Sequence, residues 1–449
     1  MSSAASSEPA SQTGPHLKRA LGLWDLVFYG IILIQPTAPM PPFGVVSQVA
    51  YGHVVTTVLI AMVAMLFTAI SYGRMARAYP SAGSAYTYVG REIHSSLGFV
   101  TGWSLAMDYI LNPIICTIWC SKAAMNLVPE IPYITWAVFF AVLFTLLNLR
   151  GIRATARTNQ VLVLGMCVVV AYFFAAAVRY LMHQHGVSYT LPFYDPRTFT
   201  AGRIASGTSV AVLTYIGFDG ISTLSEEAHN PRRNILLATV LTCLITGVLA
   251  SAEVYIGQLV WPDFRHYPDV DTAFSYVAGR AGGPLLFHMV NLTLLVATIG
   301  SGMGSQLGAA RLLFGMGRDN TIPRGFFGAI APNGIPRNNV LFVGLLALGG
   351  AFLMSYELGA ELLNFGAIIG FMGVNIAAFI HYYVRGKRRT LGTFLPPLLG
   401  FVFCLAIWTS LHKQALIAGG IWLTIGVIYA AVKTNGFREA IVFSDPPAD

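Results

Sequence analysis

Charge is what this chain has least of. Of its 449 residues only 10% are charged while 55% are hydrophobic, whereas a soluble domain carries about 25% charged residues. That imbalance, with a mean hydropathy of +0.65, excludes a soluble globular protein and defines a membrane one. The formal net charge of +8 is scattered between apolar runs and forms no continuous basic patch, so no nucleic-acid partner is expected. A secretory signal is missing as well. The first 16 residues are small and polar without the basic-then-apolar order of a signal peptide, and they read as a disordered cytosolic tail before an uncleaved first span. Cysteine is sparse: Cys116, Cys120, Cys167, Cys243 and Cys404 all fall inside apolar spans and read as buried thiols. No metal and no cofactor is expected. Neither a His-Glu-x-x-His sequence nor a Gly-x-Ser-x-Gly elbow occurs, which argues against an intramembrane enzyme. No repeated pore motif argues for a channel.

What the chain does have is a set of about twelve apolar spans, cut by polar, glycine and proline punctuation. They run near 26–51, 54–72, 97–127, 134–149, 161–182, 204–224, 235–260, 285–307, 340–355, 362–384, 391–411 and 415–432. Basic residues collect in alternate loops, as at Arg150, Arg153 and Arg157, at Arg232 and Arg233, and from Arg385 to Arg389. Short basic loops stay on the cytoplasmic side, so both termini are expected in the cytosol.

The first span contains the sequence QPTAPMPPFG from Gln35 to Gly44. Its four prolines prevent a continuous helix, and broken backbone inside hydrocarbon is tolerated only where it packs in protein or lines a wet cavity. The sixth span is interrupted in the same way at Gly217-Phe218-Asp219-Gly220. Two interrupted spans five apart point to inverted repeats with a ligand held between them. Proline has no N–H, so the first break is a poor cradle for a carboxylate, while its carbonyls remain acceptors for an ammonium. Gln35, Pro36, Thr37, Ala38 and Met40 are therefore candidate binding residues for a cation.

Each intramembrane ionisable group needs a partner or a function. Asp219 sits in the second break. Asp108 lies in the third span on a face continued by Asn112 and Trp119 at helical spacing, polar at one end and aromatic further on, as an amine cavity would be. Tyr109, Trp119, Tyr215 and Phe218 are candidate aromatic walls beside Gly217. Lys122 reads as snorkelling from the outer end of its span, and Glu253 as held by a packed hydrogen bond. Glu226 and Glu227, two turns after the second break, are candidates for gating or coupling together with Asp219.

These residues carry a resemblance. The segments Pro80 to Tyr88, Asn148 to Ile152, Gly217-Phe218-Asp219 with Ser225-Glu226-Glu227, and Arg311 through Arg318-Asp319 to Pro323 are similar to the amino acid-polyamine-organocation superfamily. The resemblance implies an all-α integral membrane fold of about twelve transmembrane helices. Its core would be a leucine-transporter-like five-plus-five inverted repeat with helices 1 and 6 broken, working by alternating access. On that reading residues 1–20 are a cytosolic tail, 21–182 and 183–384 the two repeats, 385–433 two additional spans, and 434–449 a second cytosolic tail. Permeases of the superfamily usually carry a glycine-serine-glycine break in span one. The QPTAPMPP departure, with Gly102-Trp103-Ser104, Asp108-Tyr109 and the run from Phe67 to Gly73, resembles the bacterial putrescine importer branch. The implied function is a secondary transporter importing putrescine or a related polyamine across a bacterial-type plasma (inner) membrane, as a monomer or homodimer. The alternative is an amino-acid permease, a proton symporter or exchanger. Some proton-coupled relatives place a lysine in span five, which is absent between Val161 and Met182. A coupling proton is expected nonetheless, with Asp219 or Asp108 as the titrating group.

Overall fold

In the computed structural model the described residues are 21–79, 84–151, 156–225, 227–318, 322–332, 334–386, 389–434 and 436. Glu226, the motif residues Pro80 to Gly83, Ile152 and Asp319, and the tail residues 1–20 lie outside them. So does all of 434–449 except Thr434 and Gly436.

Fifteen α-helices occur among the described residues, in the order α1 (Leu23–Ile34), α2 (Phe43–Val49), α3 (Val54–Ala78), α4 (Ser84–Glu92), α5 (Ser95–Met125), α6 (Tyr133–Leu149), α7 (Ala156–Met182), α8 (Ala201–Ala211), α9 (Pro231–Val260), α10 (Ala273–Arg318), α11 (Arg324–Phe327), α12 (Arg337–Leu353), α13 (Tyr356–Phe379), α14 (Leu391–Thr409) and α15 (Lys413–Lys433). Between α8 and α9 lie two 3-10 segments, Val212–Tyr215 and Phe218–Leu224. Among the described residues nine helical stretches are long and apolar enough to cross a membrane, and α1, α6 and α12 are shorter apolar helices. Together they account for the twelve expected spans. α1 is short because the proline-rich break cuts its span. The helix α4, between spans two and three, has too little apolar sequence to register as a span. α10 starts earlier than the expected eighth span because a preceding helix joins it through a kink at Gly283 (φ 76°), followed by Pro284.

Chemistry at the helix ends matches the sequence. α9 opens with Pro231 in its first turn, where a missing N–H costs nothing. The Ser355 side chain caps α13 by accepting from the Leu358 N–H at 3.1 Å.

α3 packs along α9, α5 along α10 and α13, α6 along α12, and α1 along α9. Small residues permit the closest approaches. A Cβ on Gly30 would stand 2.6 Å from the Thr242 hydroxyl of α9. α15 is fastened to α5 by a reciprocal pair, Trp103 donating to the Trp422 carbonyl at 2.9 Å and Trp422 to the Trp103 carbonyl at 3.0 Å, with the indoles stacked at 4.7 Å. Next to α4, Glu92 accepts from Tyr79, His381 and Arg385 at 2.7 to 2.8 Å, tying α4 to the π-helical turn Ile380–Val384.

Candidate functional site

Proline chemistry accounts for the geometry of the first break. To continue, α1 would need N–H groups at residues 36, 37 and 38 to bond the carbonyls of Ile32, Leu33 and Ile34. Pro36 has none. The Ala38 N–H turns to the Gln35 carbonyl at 3.2 Å, and that of Thr37 makes no backbone bond. Gln35 takes φ 72°, a conformation that side chains other than glycine rarely adopt. The Gln35 N–H closes on Ile31 (2.8 Å) and that of Met40 on Thr37 (3.1 Å). Between Gln35 and Phe43, Thr37 is left with the one uncommitted N–H. The carbonyl end of α1, which carries the negative end of the helix dipole, stays open.

In the second break α8 tightens into Val212–Tyr215, then turns through Gly217 at φ 117°. A Cβ there would come 3.4 Å from the Leu33 carbonyl oxygen, so the two breaks meet. The Gly220 N–H closes on the Gly217 carbonyl at 3.1 Å, and Asp219 stands at the positive end of the segment Phe218–Leu224. The entry to α1 is also tied to the exit of the sixth span. Leu21 donates to the Glu227 carbonyl at 3.1 Å and accepts from the His229 N–H at 2.8 Å.

Asp108 of α5 lies within electrostatic range of Asp219, and both are half-buried. Neither carboxylate has an ion-pair partner among the described residues. Tyr109 is 47% exposed and its ring rests against Gly308 of α10. One turn further along α5, the Asn112 side-chain oxygen accepts from Cys116 (2.9 Å) and from Ser301 (3.5 Å). Gln35 Nε2 donates to the Ala297 carbonyl at 3.4 Å. Ala297, Ser301, Gly304 and Gly308 share one face of α10 by helical spacing. At Gly304 nothing lies within 4 Å of where a Cβ would stand. The two breaks, α5 and α10 thus carry two unpaired carboxylates, an exposed phenol ring and free helix-end carbonyls.

Gln35, Asp108, Tyr109, Asn112, Gly217 and Asp219 lie on the breaks and on α5. The other expected residues are held by packing or by internal hydrogen bonds. Pro36, Thr37 and Met40 are buried and Ala38 is half-buried; Thr37 Oγ1 points to the Met166 sulfur of α7 at 3.9 Å. The buried indole of Trp119 donates to the Asp271 carbonyl at 2.7 Å. The Tyr215 hydroxyl donates to the Val58 carbonyl at 2.9 Å. Phe218 lies in a ring cluster with Tyr72 (5.6 Å) and Phe371 (5.2 Å). Tyr72 and Tyr88, which sequence reasoning did not assign, are buried with unpartnered hydroxyls and lie in the field of Asp219. Their signal was present in the motif segments that contain them.

Two expectations are corrected. Lys122 does not snorkel alone: it pairs with Asp269 at 3.1 Å and Asp271 at 3.6 Å in the loop before α10. Burial holds the Asp271 carboxyl above the ordinary carboxylate range, and the Lys122 ammonium pulls it partly back. Glu253 was expected to make a packed hydrogen bond, but neither of its oxygens has a partner.

Membrane-length helices, two of which unwind over a shared ionisable cavity, define a multi-pass membrane transporter. The profile of the amino acid permease family matches residues 43–442. The chain is 35% identical over 440 residues to the low-affinity putrescine importer PlaP of Escherichia coli K12, covering 95% of this chain and 96% of that one. It is 26% identical over 443 residues to the branched-chain amino acid permease BcaP of Lactococcus lactis (93% and 95% covered). With the vacuolar cationic amino acid transporter 4 of Arabidopsis thaliana it shares 28% identity over 399 residues (83% and 64% covered). The chain belongs to the amino acid permease family, and it is a transporter rather than an enzyme.

Proposed function

We propose that this protein imports a small organic cation, putrescine or a related polyamine, by alternating access. The observation that carries the reading is the donor inventory of the first break. A carboxylate needs several N–H groups, and between Gln35 and Phe43 the break offers one, at Thr37. At the second break the N-terminal end of the segment Phe218–Leu224 already carries the Asp219 carboxylate. What the cavity offers instead suits ammonium groups: the free carbonyls of α1, the carboxylates of Asp108 and Asp219, and the face of Tyr109. The similarity to a putrescine importer supports the same reading.

Residues 21–182 and 183–384 serve as the two inverted repeats. Helix pairings support this division, because exchanging each span with the one five later returns pairs that also pack. The α5–α13 contact exchanges with α10–α7, and α1–α9 with α8–α3. α3–α9, α5–α10 and α6–α12 map onto themselves. Asp219, Glu226 and Glu227 act in gating or coupling. Both termini lie in the cytosol of a cell whose inner membrane holds the protein, and import is coupled to proton entry. The test is uptake of labelled putrescine into vesicles bearing the protein. Unlabelled putrescine should block it and alanine should not; block by alanine alone would favour the amino-acid permease reading.

A further inference from the structure

Glu253 differs from every other carboxylate among the described residues. It is 0% exposed, and it is the one whose two buried oxygens both lack a hydrogen-bond partner. An ionised carboxylate there would face no donor, which is costly in a low-dielectric interior. The protonated acid is the form this environment accepts. Its helix, α9, packs along α1 and the segment Phe218–Leu224, which flank the two breaks, and along α3, α7 and α10. Gly257, one turn further on, faces Phe43 of α2 and Phe274 of α10. Cys167 of α7 is the titratable group that feels the Glu253 charge. From α1, α3, α10 and the sixth span no charge acts on Glu253.

Import of a cation, the reading on which a role for Glu253 rests, creates a need for such a group. Asp108 and Asp219 hold ammonium groups only when ionised. A proton on either one displaces the cargo, so protons passing through them travel against it. A proton that enters with the amine needs an acid that does not touch the amine.

We propose that Glu253 is a proton-binding site of the transport cycle. The carboxylate takes up one proton while water reaches it, is buried as the neutral acid when α9 closes on the broken spans, and releases that proton when the packing reopens. Burial and protonation are thereby linked, and the linkage carries a proton alongside the cation.

The experiment compares the wild-type protein with Glu253→Gln, which keeps the shape and removes the titration, both reconstituted in liposomes. Putrescine exchange without a gradient should run at a similar rate in both. An inward gradient of one pH unit should drive about tenfold accumulation per co-transported proton in the wild type and none in the variant. Accumulation in Glu253→Gln equal to wild type overturns the proposal. Infrared spectra of wild type and Glu253→Gln, both carrying isotope-labelled glutamate, need no substrate. A protonated glutamate band at neutral pH that is present in the wild type and lost in the variant is expected, and no difference between the two also overturns the proposal. A wild type that takes up no putrescine refutes the substrate reading and leaves the infrared result to judge Glu253.

Discussion

Replacing Asp108 by asparagine is expected to erase the preference for a diamine over a monoamine while leaving the cavity in place. Asp108 and Asp219 are both half-buried and neither is neutralised by a basic side chain, so each is free to hold one ammonium group. At an effective dielectric near 20, an ammonium about 5 Å from a unit negative charge gains about 3 kcal/mol. Partial exposure reduces that to about 2 kcal/mol, or ~30-fold in affinity. Asparagine keeps the volume and leaves no buried charge unpaired, so folding should be little affected. The assay is equilibrium binding of putrescine and of butylamine, which has the same carbon chain and one ammonium. Wild type should favour putrescine by ~30-fold, and Asp108→Asn should bind the two almost equally. A variant that keeps the full diamine preference would show that Asp108 does not meet the second ammonium.

Gly217→Ala places a side chain at φ 117° beside the Leu33 carbonyl and should cost about 1–2 kcal/mol of stability, read as a lower Tm with impaired uptake. Gly30→Ala drives a methyl to within 2.6 Å of Thr242; overpacking of about 1–3 kcal/mol is expected, again visible in Tm. Tyr109→Leu removes the exposed ring from the cavity and should weaken amine binding by about 0.5–2 kcal/mol, measured by titration, with no change in Tm. Lys122→Met leaves Asp269 and Asp271 side by side without their cation, and hydrogen exchange in residues 261–272 should accelerate while α5 stays protected.

The spans and the two breaks were legible in the sequence because proline and glycine act on the backbone wherever they stand. Pro36 and Gly217 interrupt their helices whatever packs around them. The rotation of each helix about its axis was less legible. In a soluble helix the polar face identifies solvent, but here lipid-facing and core-facing sides are equally apolar. Periodicity therefore could not tell that Tyr215 turns to the Val58 carbonyl, that Trp119 reaches the Asp271 carbonyl, or that Phe218 joins Tyr72 and Phe371. Asp108 stood out in the sequence because a carboxylate in such a span has few places to go. The partners of Lys122 lie 147 and 149 positions away, at Asp269 and Asp271, and the lack of a hydrogen-bond partner for Glu253 is a property of packing alone.

If the proline-rich break makes a cation site because it lacks N–H donors, ligands should sort by charge. Thermal stabilisation of the purified protein by putrescine, spermidine, agmatine, arginine, alanine and glutamate, at two pH values, reads that sorting without any transport step. A raised Tm is expected with the di- and polyamines and none with alanine or glutamate. Stabilisation by alanine or glutamate would mean that the break does hold a carboxylate, and would contradict a cation site built on missing donors.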